Sequence, residues 1–308
     1  MKIFDACVIG AGPAGITAAL YLSRSGYSVI LVEQMTPGGQ VLQTASLENY
    51  PGFPKGIKGY ELADAMAEHL DGLSIDRVTG EVVAVSGRAG DFAVSLADGA
   101  SYTARTVLVC SGARHRKLGL PDEERLTGHG VSYCALCDGN FFRGRPVAVV
   151  GGGNAALEES LYLANIVSRV HLIHRRSEFR GRQIYQSRLL NSDKVSLHLN
   201  SIVSRLHGDS DLDGITIRNV QSGEEETLAC DAVFIYVGFE PVTSFLPDTI
   251  KVDPQGFIIT DTEMASNIPG IFAAGDIRSK NCRQVITAAG DGATAAQAAF
   301  VFLGQLNA

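Results

Sequence analysis

Two cysteines separated by two residues, Cys134-Ala135-Leu136-Cys137, are followed directly by Asp138 and Gly139. That spacing lets two sulfurs close a small disulfide ring, and an adjacent carboxyl group can carry the proton that thiol–disulfide exchange moves. Zinc is the competing use of paired cysteines. A structural zinc site takes four ligands, usually from two such pairs, whereas Cys7, Cys110, Cys230 and Cys282 stand singly. An inert core pair is the second alternative, against which the polar loop around Cys134 and Cys137 argues. The four single cysteines lie in apolar strands or near their ends and read as core filler or bystanders.

Two glycine-rich turns offer dinucleotide sites. Gly10-Ala11-Gly12-Pro13-Ala14-Gly15 follows one apolar run and opens another. Its glycines permit a tight bend and close approach of backbone to a pyrophosphate, which sits where unpaired helix N–H groups and the helix dipole favour an anion. Glu33, at the end of the next apolar run, can accept both hydroxyls of a ribose. The second turn, Gly151-Gly152-Gly153-Asn154-Ala155-Ala156, is placed alike, but the run after it ends in His174-Arg175-Arg176, with Arg180 one turn later. Guanidinium groups pair bidentately with a 2′-phosphate that a carboxylate would repel, so the second site reads as one for NADP(H) and the first as one for FAD or NAD. A helix-packing turn and a solvated basic helix start are the bland readings of the two motifs. A flavin paired with NADPH makes a two-electron conduit.

The elements that must hold these residues are two βαβ units. The first runs strand Phe4 to Ile9, helix Ile16 to Ser25 and strand Ser28 to Val32; the second runs strand Pro146 to Val150, helix Leu157 to Ile166 and strand Arg169 to Ile173. Between them lie a loop rich in Gly and Pro (37–59), a helix from Tyr60 to Leu70, and alternating stretches at 81–86 and 92–96 that read as hairpin strands. A short apolar strand near Ile271 delivers Asp276 to a loop, and a helix of small residues closes the chain. Boundaries are expected at Arg114 to Gly119 and Gly238 to Ser244.

Length favours two domains or one large one, and composition agrees with an ordered globular enzyme. The 308 residues are 45% hydrophobic and 19% charged, which excludes a disordered or collagen-like chain. A net charge of −7 provides no general attraction to nucleic acid or anionic membrane. Residues 6 to 23 lack charge, but Gly10, Gly12, Pro13 and Gly15 break the apolar helix that a signal peptide or membrane span would need. A cytoplasmic protein with reduced thiols is therefore expected. His129 reads as a surface-loop histidine, and His174 has a stronger case through its place beside Arg175. Phe141 and Phe142 read as core aromatics or, if exposed, as a docking point for a protein substrate.

The two turns, the Cys134–Cys137 motif, the His174-Arg175-Arg176 cluster and Gly275-Asp276 followed by Arg283-Gln284-Val285 resemble, in order and spacing, the low-molecular-weight thioredoxin reductases of the pyridine nucleotide-disulfide oxidoreductase family. The resemblance covers essentially the whole chain. It implies an α/β fold of two Rossmann-like domains in three-layer ββα form: an FAD domain from 1–116 and 244–308, an inserted NADPH domain at 117–243 carrying the cysteines, and a homodimer. It further implies that Glu33 holds the adenosine ribose, that Gly39, Gln40 and Asn49 line the flavin, and that Asp276 bonds the ribityl chain. Gln34, Val83 and Gly112 are carried over as further cofactor positions, as are Gly153 and Asn154 for NADPH. Cys137 is to face the flavin, Cys134 to exchange with thioredoxin, and Asp138 to manage the proton. Since cysteines and nicotinamide would need the same flavin face, the inserted domain is expected to swing.

Leu136, His129 and Asn140 depart from the family's usual residues, which bears on partner affinity more than on the chemistry. Two alternatives remain: a related reductase serving a glutaredoxin-like or peroxidase-type protein, and a non-catalytic FAD/NADPH redox sensor.

Overall fold

The computed structural model describes residues 2–44 and 47–306. In chain order the strands are β1 (Ile3–Ile9), β2 (Val29–Glu33), β3 (Ile75–Thr79), β4 (Val82–Arg88), β5 (Asp91–Leu96), β6 (Ser101–Val109), β7 (Ala113–His115), β8 (Val131–Ser132), β9 (Pro146–Gly151), β10 (Arg169–His174), β11 (Val195–Leu199), β12 (Ser201–His207), β13 (Gly214–Asn219), β14 (Glu225–Ala229), β15 (Ala232–Tyr236), β16 (Phe239–Pro241) and β17 (Ile271–Ala273). The helices are α1 (Pro13–Arg24), α2 (Gly59–Glu68), α3 (Glu123–Leu126), α4 (Ala135–Asp138), α5 (Asn154–Ala164), α6 (Gln183–Leu190) and α7 (Val285–Leu306). They form two compact units, the first from both ends of the chain and the second mostly from His115–Phe239. The chain passes between them through β7 and β16, which pair as a two-stranded ribbon.

In the first unit β3, β2, β1 and β6 run parallel, as βαβ connections require. β6 then divides: residues 101–104 pair antiparallel with β5, and residues 107–109 pair parallel with β17. The meander β4–β5–β6 thus covers one face while α1 and α7 cover the other, and each face has its own apolar cluster. β1 and β2 are nearly continuous apolar runs because both faces are covered.

The 22-residue α7 is long and apolar enough, by length and composition alone, to cross a membrane. Here its small-residue face, Ala288, Gly292, Ala295, Ala296 and Ala299, is buried with Ala14, Ala18, Ala19 and Leu22 of α1. A β-carbon at Gly292 would overlap the Ala14 carbonyl oxygen, so this helix crossing needs glycine there.

The second unit is a five-stranded parallel sheet in the order β11-β10-β9-β15-β8, with α5 and α6 on one face. The antiparallel β12–β14 covers the other through Val203, Leu206, Ile215, Ile217 and Leu228. The helices after both glycine turns start earlier than periodicity alone predicts, at Pro13 and Asn154, because proline suits the first helical position and apolar spacing shows only where the buried stripe begins.

Candidate redox and nucleotide sites

β8 leads through Tyr133 into Cys134, which precedes the single turn α4. Cys134 and Cys137 form a disulfide with Cα atoms 5.3 Å apart, Cys134 partly buried and Cys137 buried. The Cys137 N–H donates to the Cys134 sulfur at 3.2 Å. Below the ring, the Ser132 hydroxyl donates to Asp138 Oδ2 at 2.6 Å and accepts from the Cys134 N–H at 3.1 Å. Asp138 Oδ1 is buried without a hydrogen-bond partner, and burial pushes the Asp138 pKa up while the Ser132 hydrogen bond opposes the shift. The arrangement presents a carboxyl group able to hold a proton one residue from the reactive sulfur.

Three residues that sequence reasoning missed hold the approach to Cys134. The Tyr133 hydroxyl donates to Glu123 Oε1 at 2.8 Å, and the buried Glu123 carboxylate also accepts the N–H groups of Leu118, Gly119 and Leu120 at 2.9, 2.8 and 3.2 Å. His115 stacks on Tyr133 with ring centroids 4.8 Å apart and lies 4.5 Å from Phe239. Burial lowers the His115 pKa to about 4. Glu123 sits in the charged run 122–125, which as sequence reads as solvated surface; only its backbone partners reveal the role.

Around the ring, Leu136 and Phe141 are exposed, whereas Phe142 packs edge-on against Phe234 at 6.0 Å. The two adjacent phenylalanines therefore split between surface and core. His129 is exposed with Nδ1 3.3 Å from Asp211, as a surface-loop histidine should be. Cys7, Cys110 and Cys230 are buried, and burial pushes the Cys7 and Cys230 thiols up to about 12 and raises that of Cys110. Cys282 is the bystander among them: it is exposed, and it lies in the polar segment between Ile277 and α7 rather than in or near an apolar strand as expected.

At the first turn, Gly10 has φ +97°, and a β-carbon at Gly15 would overlap the Gly10 carbonyl oxygen, so the bend admits no side chain at either place. Glu33 Oε2 accepts the Ala11 N–H at 2.7 Å and Oε1 the Met35 N–H at 3.0 Å, fixing the carboxylate beside the turn with lone pairs to spare. Gly38 N–H donates to Ala11 O at 2.7 Å, Gly39 lies against Gly12, and the Gln40 amide donates to Ala113 O.

Against Ala14 of the same turn lies Gly275, whose N–H donates to Asp291; that carboxylate also meets Arg278 and Lys280 at 3.0 and 2.8 Å. Asp276 Oδ1 is buried with no hydrogen-bond partner, and burial raises its pKa. An orphaned acceptor of this kind fits the hydroxyl of a polyol chain. Arg283 packs over the Phe257 ring at 4.2 Å, Gln284 N–H donates to Thr287, and Val285 begins α7. Gly112 has φ +67°, while Gln34 and Val83 are exposed. Asn49 lies in the short segment grouped with the second unit rather than the first.

At the second turn, Gly153 caps α5, and Asn154 Oδ1 accepts the Arg182 N–H at 2.8 Å. Gly152 O accepts from Arg180 and Gly181 at 2.8 and 3.1 Å. His174 is buried under this turn: a β-carbon at Gly152 would overlap its ring, which also stacks on Phe179 at 5.3 Å. Burial lowers the His174 pKa, with Arg180, Arg176 and Arg175 adding to the effect against a hydrogen bond to Glu178 O. Arg175, Arg176 and Arg180 are exposed, free to meet an anion at the end of β10. A glycine turn, the α5 N-terminus and three arginines suit a phosphorylated dinucleotide.

Residues 4–292 match the family model described as pyridine nucleotide-disulphide oxidoreductase. Among curated relatives, the thioredoxin reductase of Listeria monocytogenes is 43% identical over 99% of this chain and 96% of its own, and that of Treponema pallidum is 42% identical over 99% and 98%. A solved thioredoxin reductase from Streptococcus pyogenes is 44% identical, covers 98% of this chain and 99% of its own, and superposes with a TM-score of 0.92.

Proposed function

Because the chain belongs to the pyridine nucleotide-disulphide oxidoreductase family, we propose that it is an enzyme that reduces the disulfide of thioredoxin with electrons from NADPH, by way of FAD and the Cys134–Cys137 pair. Family membership implies a flavin and a pyridine nucleotide. The observation that carries the finer reading is the ring itself: an accessible sulfur, a buried sulfur and a proton-holding Asp138 stand in the same unit as an arginine-flanked nucleotide turn. A core pair would not keep an orphaned carboxyl oxygen beside its sulfurs.

The first unit would hold FAD, with Gly10, Gly12 and Gly15 at the pyrophosphate, Glu33 at the adenosine ribose and Asp276 at the ribityl chain. The second would hold NADPH, with Gly153 and Asn154 at the pyrophosphate and Arg175, Arg176 and Arg180 at the 2′-phosphate. When bound, the flavin supplies the two-electron step between nicotinamide and disulfide. The protein's own residues do the rest. The buried Cys137 is kept from solvent and the more accessible Cys134 meets the substrate disulfide. Asp138 gives a proton to the sulfur released as the ring opens and takes it back as the ring closes, with Ser132 holding its carboxyl group in place. Exposed Leu136, within the motif, and Phe141, just after it, offer apolar contact to a small protein. A cytoplasmic homodimer completes the reading.

NADPH oxidation assayed against a panel of small disulfide proteins tests it. Continuous turnover with thioredoxin is expected. Turnover only with a glutaredoxin-like or peroxidase-type protein would move the acceptor, and NADPH consumption that stops at one equivalent would identify a sensor.

A further inference from the structure

After β10 the chain doubles back over the second glycine turn. The N–H groups of Arg180 and Gly181 donate to Gly152 O at 2.8 and 3.1 Å, and the N–H of Arg182 donates to Asn154 Oδ1 at 2.8 Å. These bonds end on the two residues that flank Gly153, the cap of α5, so the returning segment straddles the turn. A β-carbon at Gly181 would overlap the Leu157 side chain and lie 3.2 Å from the Gly153 carbonyl carbon. Backbone is pressed on backbone there, with no side chain between.

Arg182 is held from both sides of its own peptide. Its N–H is bound by the first residue of α5, and its carbonyl oxygen accepts the Tyr185 N–H at 3.0 Å as α6 begins. Gln186 Nε2 ties the same bend to Gly181 O at 2.7 Å. The Arg182 side chain is exposed and hydrogen-bonds the Tyr185 hydroxyl, which also bonds Glu158, one turn along α5 from Asn154. No side chain caps α5 and no acid stands in its first turn, so nothing on the helix itself offsets the positive end of its dipole.

We infer that Arg182 is a pyrophosphate-binding residue of the second nucleotide turn, acting beside Gly153 and Asn154 on any dinucleotide, with or without a 2′-phosphate. The inference rests on the proposed function for the nucleotide that this turn receives. Arg175 and Arg176 follow the end of β10, the place where such folds meet the adenosine ribose, whereas Arg182 is bonded to the residue that opens the helix, the place where they meet the pyrophosphate. Its long side chain needs only to leave the neutral Tyr185 hydroxyl for two phosphate oxygens, which a guanidinium fork engages together. Fixing the backbone beforehand leaves only side-chain freedom to be lost on binding.

The test measures equilibrium binding of NADP+, NAD+ and 2′-AMP to the holoprotein as wild type, Arg182→Gln, Arg182→Lys and Arg176→Gln. Arg182→Gln should weaken NADP+ and NAD+ alike, by about tenfold for one exposed charge-assisted contact, and leave 2′-AMP, which has no pyrophosphate, bound as by the wild type. Retained 2′-AMP binding shows that the turn and the arginine cluster are intact. Arg182→Lys should recover part of the loss, since it keeps the charge without the fork. Arg176→Gln should give the opposite pattern, weakening NADP+ and 2′-AMP but not NAD+. Unchanged binding of both dinucleotides by Arg182→Gln would overturn the inference, and so would a loss confined to NADP+ and 2′-AMP, which would move Arg182 to the 2′-phosphate. A wild type that binds neither dinucleotide would overturn both this inference and the proposed function. Failure of NADPH to drive thioredoxin reduction would overturn the proposed function alone, while the binding comparison still reports on Arg182.

Discussion

The Ser132 hydroxyl donates to Asp138 at 2.6 Å while accepting the N–H of Cys134, so one side chain positions both the proton carrier and the sulfur it serves. Asp138→Asn keeps the shape but removes the proton. It should slow reduction of the Cys134–Cys137 disulfide by roughly a hundredfold while NADPH still bleaches the flavin. Ser132→Ala should cost less, about three- to tenfold, because only the positioning hydrogen bond is lost. Stopped-flow absorbance of the two half-reactions checks both.

Arg175 and Arg176 stand exposed at the end of β10, where a 2′-phosphate would sit. Replacing both with Gln should lower NADPH efficiency relative to NADH by at least about a hundredfold, since each charge-assisted contact is worth roughly 1.5–3 kcal/mol. The ratio of kcat/KM for the two nucleotides reads this directly, and equal use of both by the unaltered protein would refute the assignment.

Gly152 leaves just enough space for the His174 ring beneath it. Gly152→Ala should destabilise the second unit by roughly 1–3 kcal/mol through overpacking and weaken NADP+ binding. Adding His174→Ala should recover part of the loss, because the collision partner is then gone. Thermal unfolding and equilibrium binding of NADP+ provide the two readouts.

How much of this was legible in the sequence depended on how local the signal was. The glycine turns, Glu33 and the cysteine spacing are short-range patterns, and the βαβ units form where expected, with the helix starts displaced by three residues and other element ends by one or two. His174 was legible as a member of the basic cluster but not as the buried support of Gly152, because burial depends on the return of residues 178–181 over the turn. Glu123, His115 and Tyr236 were silent for the same reason: their partners are the loop at 118–120, Tyr133 and the Ala135 amide, all set by tertiary packing. The division of Phe141 from Phe142 likewise needed the Phe234 ring to be placed.

His115 is held neutral in its stack, with a folded pKa of about 4 against the 6.5 of a free imidazole. Between these values the unfolded chain binds more protons, so the contribution of His115 is present above pH 6.5 and lost as pH falls toward 4, up to about 3 kcal/mol. Urea unfolding measured at intervals from pH 7 to pH 4 should show a shallower loss of stability for His115→Phe than for the wild type.

The most direct measurement of the central claim is NADPH consumption with thioredoxin as acceptor, run beside anaerobic flavin bleaching, for the wild type, Cys134→Ser and Cys137→Ser. The wild type should turn over continuously. Both variants should bleach when given NADPH yet fail to pass electrons to thioredoxin, because the nucleotide and the disulfide serve separate half-reactions. Wild-type turnover with thioredoxin in either serine variant would contradict the account.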